Sequence, residues 1–82
     1  MKINYSRTAL KFLRKANKKT SEMIVSDIET LAKNPDAMKN RTKKLEAREG
    51  YRLVAKKYRV LYDFEDEALT IYKIGHRKDV YR

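Results

Sequence analysis

The 82-residue chain carries 21 Lys and Arg against 11 Asp and Glu, a formal charge of +10 at pH 7. This length supports one domain, 1–82, that buries roughly 60–65% of its unfolded surface, with no room for a separate cofactor domain. The absence of cysteine excludes disulfides and thiolate metal sites, and the lack of an apolar signal run or of ~20 consecutive apolar residues predicts a cytoplasmic chain with no membrane partner. The excess positive charge predicts an acidic partner.

Lys2–Tyr5 alternates polar and apolar residues and reads as a short strand. Ser6 is suited to cap a helix through about Asn17, because its hydroxyl accepts from early helical N–H groups. Ala9, Leu10, Phe12, Leu13 and Ala16 give that helix an apolar stripe. After the polar break Asn17–Lys19, Thr20 or Ser21 is expected to cap a second helix, with Glu22 in its first turn. Met23, Ile24, Ile28, Leu31 and Ala32 supply the buried side, and Asn34-Pro35 ends the helix. The two helices are expected to form an antiparallel hairpin on a sheet. Asp36–Glu49 holds Lys39, Arg41, Lys43, Lys44 and Arg48 with few apolar anchors. It reads either as a solvated connector or as a basic flank that tracks the phosphates of RNA.

The last third of the chain is the most structured by pattern. Tyr51–Ala55, Tyr58–Phe64 and Leu69–Ile74 are rich in β-branched and aromatic residues, separated by Lys56-Lys57 and Glu65–Ala68. Breaks this short join antiparallel neighbours. Alternation puts Tyr58, Val60, Tyr62 and Phe64 on one apolar face, with Arg59, Leu61 and Asp63 on the other. Arg52 and Val54 likewise oppose Tyr51, Leu53 and Ala55. The expected fold is α+β: two N-terminal helices on a small, mostly antiparallel four-stranded sheet in the order β-α-α-β-β-β.

No phosphate-binding glycine loop, metal-ligand spacing or Ser/His/Asp arrangement is present. Asp63, Glu65, Asp66 and Glu67 crowd one turn and read as a solvated hairpin tip. His76, the only histidine, follows the last strand in Gly75-His76-Arg77-Lys78-Asp79-Val80-Tyr81.

The ordered set Tyr51-Arg52-Leu53, Tyr58-Arg59-Val60-Leu61-Tyr62 and Ile74–Tyr81, preceded by a strand and a helical hairpin, resembles the RelE/ParE toxin superfamily. The nearest likeness is to its RelE-type messenger-RNA interferases, and it spans essentially the whole chain. The resemblance implies a sheet of four antiparallel strands with two helices. It also implies ribosome-dependent mRNA cleavage, no cofactor or metal, and inhibition by a cognate antitoxin. Carried over by position, Arg52 and Arg59 match strand cations of the family, Arg77 the arginine after the last strand, and Tyr81 the tyrosine near the C-terminus. Val54 departs from the pattern, standing where many members place a second cation. Lys56-Lys57 replaces a glycine-containing turn; either one of these lysines is expected to substitute for the missing charge, or the chain is expected to be a weaker nuclease.

Cutting RNA with its own 2′-hydroxyl needs that group deprotonated, phosphate charge stabilised and the leaving 5′-oxygen protonated. Planar guanidinium groups match phosphate oxygens, and a tyrosine among cations has its anion favoured. The resulting assignment makes Tyr81 the base, Arg52 and Arg59 phosphate clamps, and Arg77 a transition-state stabiliser or acid. His76 and a turn lysine, Lys57, are alternates for proton transfer. Lys39, Arg41, Lys43, Lys44, Arg48 and Lys56 are expected to bind RNA. Two competing readings are a ParE-like inhibitor of DNA gyrase that cleaves nothing and a plain RNA-binding module, although the chain lacks a recognised base-stacking motif.

Overall fold

The computed structural model describes residues 1–81. Strand β1 (Lys2–Tyr5) leads into helices α1 (Arg7–Lys15) and α2 (Lys18–Lys33), then a short 3-10 helix (Pro35–Arg41). Strands β2 (Thr42–Lys44), β3 (Tyr51–Ala55), β4 (Tyr58–Glu65) and β5 (Ala68–His76) follow. They form one five-stranded sheet in the order β1-β5-β4-β3-β2. All neighbours are antiparallel except β1, which runs parallel to β5 after the two-helix excursion. The α+β architecture is as expected, but the sheet has a fifth strand. The supposed connector supplies it: Met38, 4% exposed, anchors the 3-10 helix in the core, and Thr42–Lys44 then pairs with β3.

The helix starts follow from side-chain caps. Ser6 Oγ accepts from Ala9 N at 3.0 Å, so α1 begins where the sequence places it. The second helix starts earlier than expected. Asn17, not Thr20 or Ser21, is its cap, with Oδ1 accepting from Thr20 N at 2.8 Å. Asn is as good a cap as Ser, and its position one residue past the extended Ala16 gives it priority. Glu22 therefore lies beyond the first turn and pairs with Lys18 at 3.9 Å on the exposed surface, a contact worth little.

Both helices lie on one face of the sheet. Ile24, Ile28 and Leu31 of α2 meet Leu53, Val60, Leu69 and Ile71 in the core, each buried aliphatic contributing roughly 1.5–3 kcal/mol. Tyr51 stacks on Tyr62 with centroids 5.6 Å apart. Burial pushes the Tyr62 phenol above its ordinary value of 10.0; Tyr51 and Asp63 push the same way, and a hydrogen bond with Thr42 opposes them. Tyr5 is shifted upward by burial and by Glu29. The expected apolar stripe on β4 holds through Tyr62 and then fails. Phe64 is 40% exposed at the hairpin end, packing edge-on against the Tyr51 and Tyr62 rings. Conversely Leu61, on the face away from the helices, is only 5% exposed.

Arg41 was expected on an RNA-binding flank, and its guanidinium is instead committed within the fold. Both terminal nitrogens reach the Asp27 carboxylate on α2, and Nε donates to the Val54 carbonyl at 2.9 Å. One side chain thus ties the 3-10 helix to α2 and to β3. A planar fork is needed for this; an ammonium group cannot make all the contacts at once. Arg41→Lys should therefore destabilise by about 1–2 kcal/mol despite keeping the charge, lowering the midpoint of thermal unfolding by about 5–10 °C. Lys39→Gln, at an exposed position two residues before Arg41, should leave the midpoint unchanged.

Candidate functional site

Side chains directly opposite one another in a sheet share a face, so the strand register assembles the site. Across β2 to β5, Lys43, Arg52, Leu61 and Lys73 stand in one row. Val54, Arg59 and Gly75 form the next. Both rows lie on the face that the helices leave uncovered. Two irregular pieces of chain partly cover it: the loop between β2 and β3, and the turn after β5.

The loop is closed by Leu45 N donating to Gly50 O at 2.9 Å. Gly50 has φ +105°, and a Cβ there would lie 3.0 Å from the Tyr62 carbonyl oxygen, so a side chain at 50 would strain the closure. The C-terminal turn is fastened at three points. Arg77 N donates to Lys57 O at 2.8 Å, joining it to the β3–β4 hairpin. Asp79 N and Val80 N both donate to His76 O, at 2.8 and 3.0 Å. Val80, 1% exposed, then packs down on Gly75, whose missing Cβ would lie 3.4 Å from Val80 Cα and Cβ.

This turn carries Tyr81 back over the sheet. Arg52 Nη1 donates to the Tyr81 hydroxyl at 3.5 Å, the outer limit of a hydrogen bond, across 29 positions of sequence. Arg52 Nε is shielded from solvent and has no hydrogen-bond partner. Lys43, Lys44 and Arg48 join Arg52 and Tyr81 around an open groove of about 340 Å³, to which Glu46 is the one acidic contributor. The arrangement can hold an anion: it has four cations, one of them with an unmet donor, beside a half-exposed phenol.

Not every expected member is in this groove. Arg59 is on the correct face, yet its Nη1 donates to the carbonyls of Lys56 at 3.0 Å and Tyr58 at 2.9 Å, bracing the hairpin turn. His76 pairs in register with Tyr58 and packs edge-on against its ring at 5.9 Å, on the helix side of the sheet and away from Arg52. Its Nδ1 accepts from Lys78 N at 3.2 Å. Lys56, in a left-handed conformation at φ 55°, and Lys57 line a separate depression with Lys19 and Thr20 of α2. No turn lysine therefore fills the place left by Val54. Arg77 is exposed, its backbone serving the turn. Lys39 is also exposed and lies outside the groove lining. Two contributors escaped the sequence reading. Leu61 is buried by the β2–β3 loop, and Val80 locks the turn; its apolar side chain within a polar tail was the available signal. Among the described residues no cluster of His, Asp and Glu could hold a metal ion, and no helix is long and apolar enough to cross a membrane.

The seat of Val80 on Gly75 can be probed directly. Gly75→Ala fits at ordinary contact distance, whereas Gly75→Val should lift the turn. Hydrogen exchange of the Val80 amide should accelerate by ~10-fold or more in Gly75→Val, since its acceptor His76 O is then lost, and stay near wild type in Gly75→Ala.

The fold has counterparts among solved toxin structures, and none of the curated proteins matches the chain in sequence. The fold is shared with an archaeal RelE–RelB complex from Pyrococcus horikoshii OT3, at 21% identity over 96% of this chain and 97% of that one, with a TM-score of 0.76. A YoeB/ParE toxin from Agrobacterium tumefaciens gives 15% identity, coverage of 93% and 98%, and a TM-score of 0.76. The toxin of the intact E. coli RelBE complex gives 20%, 92% and 94%, and 0.61. A family model described as the ParE toxin of the type II toxin–antitoxin system, parDE, matches residues 3–81. The chain belongs to this family of type II toxins.

Proposed function

We propose that the chain is an RNA endonuclease that cleaves mRNA on the ribosome by attack of the RNA's own 2′-hydroxyl, and that a cognate antitoxin restrains it. The observation that carries this reading is the meeting of Arg52 and Tyr81 beside the cationic groove, with a buried Arg52 donor left unmet. A phosphate seated there would meet the Arg52 guanidinium at the end that reaches Tyr81. Lys43, Lys44 and Arg48 would hold the flanking backbone, as sequence-independent cations do.

The reaction needs no redox partner. The 2′-oxygen bonds to the neighbouring phosphorus, the bond from phosphorus to the 5′-oxygen breaks, and a 2′,3′-cyclic phosphate and a 5′-hydroxyl result. Tyr81 is the assigned base, taking the 2′-proton at its phenol oxygen. Arg52 stabilises charge on the phosphate oxygens. Arg77 is the proposed group for the leaving oxygen, by virtue of its place at the start of the same turn. Arg59 acts through the hairpin it braces. His76, on the other side of the sheet, takes no part in proton transfer in this scheme.

A second reading, inhibition of DNA gyrase without cleavage, draws support from two observations. Val54 and the diverted Arg59 leave the groove with fewer cations than the nuclease pattern calls for, and the matching family model is that of ParE. An antitoxin partner is proposed because several structures of the same fold are toxin–antitoxin complexes. The charge of +10 favours an acidic one.

Tyr81→Phe keeps the ring and removes only the hydroxyl. Single-turnover cleavage of ribosome-bound mRNA should slow by ~10²-fold or more, with thermal stability unchanged. Arg52→Ala should cost ~10²–10³-fold. Wild-type cleavage by Tyr81→Phe would remove the base assignment. Inhibition of gyrase supercoiling by wild type, without mRNA cleavage, would establish the second reading instead.

A further inference from the structure

Beside the cationic groove lies a second depression of about 380 Å³ on the same face of the sheet, sharing Leu45 and Arg48 with the first. Its character is different. The strand pairing slips between Leu61 and Tyr62: Leu61 faces Lys73 and Tyr62 faces Ile71, so Tyr72 is an extra residue bulged out of β5. A bulge breaks the in-out alternation. Tyr72 consequently lines the same depression as Lys73 and is 44% exposed. The bulge is held from behind by Ser6, whose N donates to Ile71 O at 2.9 Å and whose hydroxyl donates to Tyr72 O at 2.6 Å. The floor is Leu61, and the walls bring in Glu49, Asp63 and Glu65, three carboxylates against the two cations Arg48 and Lys73.

The two depressions therefore differ in what they accept. Carboxylates repel a phosphate but accept N–H donors, while an exposed aromatic ring over an apolar floor accepts a flat, neutral group. Two strand spacings, about 10 Å, separate Arg52 from the Tyr72 bulge, a gap one nucleotide bridges from phosphate to base. We infer that the Leu61–Tyr72 depression is a nucleobase subsite, in which a base next to the scissile phosphate stacks on Tyr72 and donates to Asp63 or Glu65. Bases that carry an exocyclic amino group bind there in preference to uracil. The inference rests on the RNA-cleavage reading and adds a specificity-determining residue to it. Asp63 Oδ1 already accepts from Phe64 N at 2.8 Å, which orients the carboxyl.

The test uses fluorescence anisotropy of the full chain with short, single-stranded RNAs made uncleavable by 2′-O-methyl riboses. An oligocytidine, an oligouridine and an abasic strand of equal length are compared. Wild type should bind the cytidine strand about 5- to 150-fold more tightly than the abasic strand, with uridine between them. Tyr72→Ala should collapse that ratio toward one without changing affinity for the abasic strand, and Tyr72→Phe should restore it. Equal binding of all three strands by wild type, no binding of any, or an unchanged ratio in Tyr72→Ala overturns the subsite. The last result would also be seen if the depression received a protein side chain. A base-dependent ratio without cleavage of ribosome-bound mRNA would retain the subsite and reject the nuclease reading. Cleavage with a base-independent ratio would do the reverse.

Discussion

Helices of 9 and 16 residues can cover one face of this five-stranded sheet, and the described residues hold no third α-helix for the other. A sheet face left to water must be polar or be covered by whatever loops are at hand. Here the covering is done by a loop closed through Gly50 and by a turn that seats Val80 on Gly75. Neither piece reaches across the whole face. What they leave open is the groove around Arg52 and the depression over Leu61. The unfilled part of the fold is where its chemistry is available.

The distribution of cations follows a similar logic. Arg41 and Arg59 are the two arginines whose geometry is consumed by the fold, one against Asp27 and Val54, the other against the carbonyls of its own hairpin turn. Each donates to backbone carbonyl oxygens of the sheet or its hairpin. Arg52 is not consumed in this way: its Nη1 reaches the Tyr81 hydroxyl at the edge of the groove. A preorganised but unsatisfied cation is what phosphate binding and transition-state stabilisation both require. On the proposed reading, the toxin keeps the Arg52 guanidinium for RNA, and Tyr81 meets its Nη1 because the C-terminal turn is clamped to the β3–β4 hairpin.

Much of the fold was legible in the sequence because it depends on local pattern. Alternation located β3, β4 and β5, helical spacing located Ile24, Ile28 and Leu31, and Ser6 was a visible cap. The family resemblance drawn from Tyr51–Tyr81 agrees with the family model. What was not legible depends on distant partners. Thr42–Lys44 has no strand pattern of its own and becomes one by pairing with Leu53, Arg52 and Tyr51. The bulge at Tyr72 arises from an extra residue in β5, held from behind by Ser6. In the site, Arg52 and Tyr81, both singled out in the sequence, lie within hydrogen-bonding reach of each other. Arg59 and His76 were not separable from them by sequence: a register pairing with Tyr58 puts His76 on the far side, and short carbonyl contacts occupy Arg59.

The central claim is that this groove cuts RNA through the RNA's own 2′-hydroxyl. The chemistry of the product ends tests it most directly. Purified wild-type protein, incubated with ribosomes carrying a defined mRNA, should generate upstream fragments ending in a 2′,3′-cyclic phosphate and downstream fragments beginning with a 5′-hydroxyl, and an mRNA with a single 2′-deoxy substitution at the cut position should remain whole. Fragments with 3′-hydroxyl and 5′-phosphate ends, or cleavage that persists at the deoxy position, would contradict the account.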